Sequence, residues 1–112
     1  MDTKLPIEMT PGEVRRQIDS GKAPRLVDVR EPFEFEQARI DGAELIPMRS
    51  IPESLPLLEK EENPIVVFCH HGMRSLQVVG WLREQGVGNC TSMAGGIDRW
   101  SQEIDPKVPR YT

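Results

Sequence analysis

The run Ile65-Val66-Val67-Phe68-Cys69-His70-His71-Gly72-Met73-Arg74-Ser75 constrains the fold more than any other segment. Four consecutive apolar residues, three of them branched at Cβ, describe a strand covered on both faces, the pattern of a parallel sheet held between layers of helix. Beyond Ser75, Leu76, Val79 and Leu82 recur at helical spacing, Val78 and Trp81 widen the stripe, and Gly86 is placed to stop the helix. A buried strand therefore passes through a short polar loop directly into an amphipathic helix.

That junction gives Cys69 a chemistry. A thiolate at the mouth of a helix gains from unpaired backbone N–H groups and from the positive end of the macrodipole, so Cys69 reads as a catalytic nucleophile. The N–H groups between Cys69 and Ser75 form a cradle for an anion: phosphate, thiosulfate or a terminal persulfide sulfur. Arg74 stands in the first turn of the helix, where a cation faces the positive end of the dipole; this local cost favours a functional role, with the guanidinium forked onto an anion or onto a carboxylate such as Asp28. His70 and His71 titrate near neutrality and suit either a solvated loop or a substrate contact. Gly72 supplies a positive φ angle or a close backbone approach. The plainer reading of Cys69 is a small apolar residue at a strand end. A zinc site is not expected, because no spaced second pair of ligands accompanies Cys69, His70 and His71. Cys90, inside the last strand, reads as core.

Elsewhere the chain alternates strand and helix. Residues 5–9 form a short strand, and Thr10-Pro11-Gly12-Glu13 carries a capping box that opens a helix to about Ser20, stopped by Gly21. Residues 25–29 form a buried strand. Pro32 opens a helical turn whose core face is Phe33, Phe35, Ala38 and Ile40, followed by a short strand at Glu44-Leu45-Ile46. Pro52 and Pro56 divide residues 50–62 into two short helical pieces. Residues 89–93 make the last strand, Gly95-Gly96 turns the chain, and the tail from Asp105, with Pro106 and Pro109, lies extended. The order implies an α/β fold with a parallel sheet and helices on both faces, whose ligands bind at the carboxyl ends of strands, where Asp28 and Cys69 both fall.

A length of 112 residues suits one domain spanning positions 1–112. A net charge of −4 without a basic stripe argues against a nucleic-acid surface. The start Met1-Asp2-Thr3-Lys4 opens no apolar targeting run, and no window approaches the roughly 20 apolar residues of a membrane span. With only two cysteines and no disulfide pattern, a soluble cytoplasmic protein is expected.

Several separated motifs, in order, carry a family resemblance: Leu26-Val27-Asp28-Val29-Arg30-Glu31-Pro32 with Glu34-Phe35, Ile40-Asp41-Gly42-Ala43, Ile46-Pro47, the Cys69 loop, and Gly95-Gly96-Ile97 with Trp100. The chain resembles the single-domain rhodanese-like sulfurtransferases. The resemblance implies a five-stranded parallel sheet and a loop of His70, His71, Gly72, Met73, Arg74 and Ser75 wrapped round the substrate. It also implies transfer of a sulfane sulfur, through a Cys69 persulfide, from thiosulfate or a persulfide donor to a thiol or cyanide acceptor, with no cofactor and no metal. Two alternatives share the fold: a persulfide carrier or interaction module serving a sulfur-relay protein, and a cysteine-dependent phosphatase or arsenate reductase. Phosphatases of this fold use a longer loop, whereas here only His70, His71, Gly72 and Met73 separate Cys69 from Arg74. One departure is Arg39, where the family often has histidine.

Overall fold

The computed structural model describes residues 5–112, so the readings made on Met1-Asp2-Thr3-Lys4 lie outside the described residues. Strands β1 (Glu8–Met9), β2 (Arg25–Asp28), β3 (Glu44–Leu45), β4 (Ile65–Phe68) and β5 (Cys90–Met93) form one sheet in the order β1-β5-β4-β2-β3. Every pairing is parallel. Helices α1 (Pro11–Asp19), α2 (Pro32–Gln37), α3 (Ile51–Glu59), α4 (Met73–Glu84) and α5 (Gly96–Glu103) alternate with the strands, giving the expected α/β architecture.

β4 occupies the centre of the sheet and explains its own sequence. Alternate side chains of a strand face opposite ways. Ile65 and Val67 enter one core layer with Val27, Val79 and Leu82, while Val66 and Phe68 enter the other with Val14, Ile97 and Trp100. All four are 0 % exposed, and burying each side chain contributes about 1.5–3 kcal/mol. The nucleophile candidate thus leaves a strand buried on both faces. Among the described residues no helix is long and apolar enough to cross a membrane.

Four expectations need correction. Residues 50–62 do not form two short pieces: a 3-10 turn, Met48–Ser50, leads into the single helix α3. Pro52 sits in the first turn, where its missing N–H costs nothing, and burial of Ile51 and Leu58 outweighs the bond lost at Pro56. Phe33 is 62 % exposed, because the short helix α2 turns Glu34 inward instead. The inward stripe of α4 is Ser75, Val78, Val79 and Leu82, an i, i+3, i+4, i+7 series that leaves Leu76 outside. The tail does not simply extend: it turns through a bond from Val108 N–H to the Asp105 carbonyl, buries Val108, and brings Tyr111 back to the domain.

Candidate active site

Cys69 follows β4 directly and is 1 % exposed. Its Sγ accepts the backbone N–H of Gly72 at 3.1 Å and of Ser75 at 3.4 Å, so the expected cradle of N–H groups closes on the sulfur itself. Gly72 makes this turn at φ +107°, a conformation that side chains oppose, and a Cβ there would press to 3.2 Å from the Gly95 nitrogen. Ser75 Oγ lies 3.5 Å from Sγ, donates to the Gly72 carbonyl at 3.2 Å, and meets Ser92 Oγ of β5 at 2.7 Å. Ser75 and Ser92 are both 0 % exposed, so the hydroxyl pair is a buried, satisfied strut between α4 and β5.

Beneath the loop lies the start of α5. The Cys69 carbonyl accepts from Ile97 N–H at 2.9 Å and the His70 carbonyl from Asp98 N–H at 3.1 Å. Gly96, at φ +62°, permits this approach; a Cβ would fall inside the contact envelope of both carbonyl oxygens. The Gly95-Gly96 pair is therefore part of the loop's foundation.

Arg74 does not reach Asp28. It forks onto Glu34 with bonds of 2.8 and 3.0 Å. Asp28 is already taken by Arg30, and both members of that pair are 0 % exposed, with guanidinium contacts at 2.6 and 2.8 Å. The hydrogen bonds from Arg74 hold the Glu34 carboxyl at about 2 against the opposing effect of burial, assisted by the Glu31 N–H and the Tyr111 hydroxyl. The same pair raises the Arg74 guanidinium further.

His70 is half-buried and stacks between His71, 3.8 Å away, and Tyr111, 4.0 Å away. Its Nε2 lies 3.0 Å from the Tyr111 carbonyl oxygen. A carbonyl only accepts, so Nε2 carries the proton. Burial, and then the neighbouring His71, push the His70 pKa down. His71 is exposed and stands 3.9 Å from Asp98, whose carboxylate is forked by Arg110 at 2.9 and 3.2 Å. A ring nitrogen of each of His70 and His71 and a carboxylate oxygen of Asp98 lie within 4.8 Å of one another, a grouping invisible in sequence because α5 supplies the third member. Met73 is 76 % exposed at the head of α4. Cys90 belongs to the core, where burial pushes its thiol up.

A cavity of about 620 Å³ is lined by Ile18, Leu26, Arg39, Trp100 and Lys107 among others and includes no residue of the loop. The chemistry therefore sits in a small, backbone-lined cradle. Of the residues singled out in the sequence, the structure brings Cys69, Gly72 and Ser75 together. Glu34, Ser92, Asp98 and Tyr111 were not anticipated as neighbours of the loop; only Glu34 had a signal, its place within the motif that follows β2.

A parallel α/β domain whose central strand delivers a cysteine into a cradle of backbone N–H groups is the class that fold and site define. Within it, the chain belongs to the rhodanese-like domain family, whose model matches residues 10–103. The chain is 33% identical over 104 residues to the probable adenylyltransferase/sulfurtransferase MoeZ of Mycobacterium tuberculosis, covering 92% of this chain and 26% of that protein. It thus spans about a quarter of that relative's length. A sulfurtransferase of Allochromatium vinosum is 36% identical over 83 residues, covering 74% of this chain and 77% of its own. The crystal structure of a rhodanese-related protein from Thermoplasma volcanium superposes with a TM-score of 0.78 at 31% identity, covering 93% and 98% of the two chains.

Proposed function

We propose that this chain is a cytoplasmic sulfurtransferase that moves a sulfane sulfur through a Cys69 persulfide, as one domain spanning 1–112, with thiosulfate as a small-molecule donor. The observation that carries the reading is the cradle: Cys69 Sγ already accepts two backbone N–H groups, from Gly72 and Ser75, at the head of α4. Fixed dipoles of this kind stabilise negative charge on sulfur without reorganising during the reaction. The relatives named as sulfurtransferases support the same reading.

In the first step the Cys69 thiolate attacks the outer sulfur of thiosulfate. The S–S bond of the donor breaks, sulfite leaves with the bonding pair, and Cys69 carries a terminal persulfide sulfur with its negative charge. In the second step a thiolate or cyanide attacks that terminal sulfur, the new S–S bond breaks, and the Cys69 thiolate returns. Residues 70–75 surround the donor, with the N–H groups of Gly72 and Ser75 on the charged sulfur. His70 is neutral in this scheme, since burial and the neighbouring His71 push its pKa down, leaving Arg74, whose fork onto Glu34 keeps it charged, and the exposed His71 for the sulfonate end. No organic cofactor or metal enters these steps.

The test is thiocyanate production from thiosulfate and cyanide by wild type, Cys69→Ser and Cys90→Ser, with intact mass recorded after thiosulfate alone. We expect one added sulfur on the wild type and activity lost only in Cys69→Ser. Absence of both added sulfur and thiocyanate would overturn thiosulfate as the donor. A relay role is the second reading, favoured by the larger relatives of which this chain matches a part. It predicts slow turnover with thiosulfate and rapid exchange with a protein persulfide.

A further inference from the structure

The segment 105–111 is fastened to the domain at successive points. The Val108 side chain is buried and its carbonyl accepts from Ser101 Oγ. Arg110 forks onto Asp98 in the first turn of α5. Tyr111 then reaches the loop, and each of its polar groups beyond the backbone N–H finds a partner there. Its hydroxyl donates to Glu34 at 2.8 Å and accepts from Arg30 at 2.9 Å; its carbonyl accepts from His70 Nε2 at 3.0 Å. The phenol ring lies within 9° of parallel to the His70 imidazole, with the Arg30 guanidinium 5.7 Å from its centroid. Burial pushes the Tyr111 phenol up to about 12, so it remains a donor at neutral pH.

We propose that Tyr111 is a positioning residue of the Cys69 site: its ring and carbonyl hold the His70 imidazole in place with Nε2–H turned to the carbonyl, and its hydroxyl fixes the Glu34–Arg74 fork. One residue thereby restrains both ends of the loop, the imidazole beside the nucleophile and the guanidinium at the start of α4. The kinetic part of this inference rests on the sulfur-transfer reading; the structural part does not. The charged and titratable groups that face His70 are His71 on the loop, Asp98 on α5, Glu34 on α2 and Tyr111 itself.

His70 and His71 are the chain's two histidines, so their imidazole resonances can be assigned with a His70→Gln control and titrated by NMR. Wild type, Tyr111→Phe and Tyr111→Ala would be compared by this titration, by melting temperature, and by the rate of persulfide formation from thiosulfate. Tyr111→Ala uncovers the imidazole, so the His70 titration should move upward and kcat/KM for thiosulfate should fall about tenfold. Tyr111→Phe keeps the ring and the carbonyl. It should leave the His70 titration near wild type and slow the reaction about threefold through the lost bond to Glu34, a partial rescue that general loss of stability would not give. An identical His70 titration in all three proteins overturns the proposal, and an unchanged rate in Tyr111→Phe overturns the role of the hydroxyl. If the wild type forms no persulfide, the sulfur-transfer reading fails while the titration still decides whether Tyr111 holds His70.

Discussion

Replacing Glu34 with glutamine should destabilise the domain in a way that depends on pH. The carboxylate accepts two bonds from Arg74, at 2.8 and 3.0 Å, one from the Tyr111 hydroxyl at 2.8 Å, and one from the Glu31 N–H at 3.0 Å. Glutamine presents an NH₂ group where one of those oxygens stood, so a donor then faces a donor. A carboxyl held at about 2 instead of its ordinary 4.5 corresponds to an upper bound of about 3 kcal/mol of native-state stability. The Arg74 side chain is 36 % exposed, and solvent screening reduces this to about 1.5 kcal/mol. The sign follows from the depressed value. The contribution is complete above the unfolded carboxyl's 4.5 and is lost as pH falls through the folded value of about 2. Thermal unfolding of wild type and Glu34→Gln at pH 7 and pH 3 checks it. At pH 7 the variant should melt about 6 °C lower, taking roughly 4 °C per kcal/mol for a domain of this size, and the gap should narrow at pH 3. A gap of equal size at both pH values, or none at pH 7, would refute the argument.

Gly96→Ala should cost about 3 kcal/mol or more in urea denaturation, since it combines a positive φ with a Cβ set against the Cys69 and His70 carbonyls; a denaturation midpoint like wild type would show that the loop is not seated on α5 as described. Alkylation of the native protein at neutral pH should spare Cys90, which is buried and whose thiol is pushed up, and should reach it only in denaturant; a native adduct on Cys90 in the mass spectrum would contradict its place in the core.

The central strand and its loop were legible because local chemistry dictates them. Four apolar residues must be buried on both faces, and the glycine after the histidines must turn the chain. The partner of Arg74 was not legible, since Asp28 and Glu34 both lie in the motif around β2 and sequence carries no distances. The structure resolves the choice by proximity: Arg30, two positions beyond Asp28, captures that carboxylate before a distant guanidinium can. Tyr111 was hidden for a different reason. Its contact with His70 closes 41 positions of chain and depends on a turn near Val108, which no periodicity announces. The continuity of the proline-containing helix α3 was not legible, because the burial of Ile51 and Leu58 that overrides local propensity is a tertiary effect.

The bonds from α5 to the Cys69 and His70 carbonyls have a consequence for discrimination. In a trans peptide the carbonyl and the following N–H point in opposite directions, and no cis bond occurs among the described residues. Pinning those two oxygens toward α5 therefore aims the N–H groups of His70 and His71 away from it, and neither peptide plane can flip without breaking a bond to the helix. The loop behaves as a rectifier: its backbone presents hydrogens on one side and oxygens on the other, in one sense only. Electron-rich atoms are welcome on the hydrogen side, and an ammonium group of the same size is not, before any side chain has taken part in the choice.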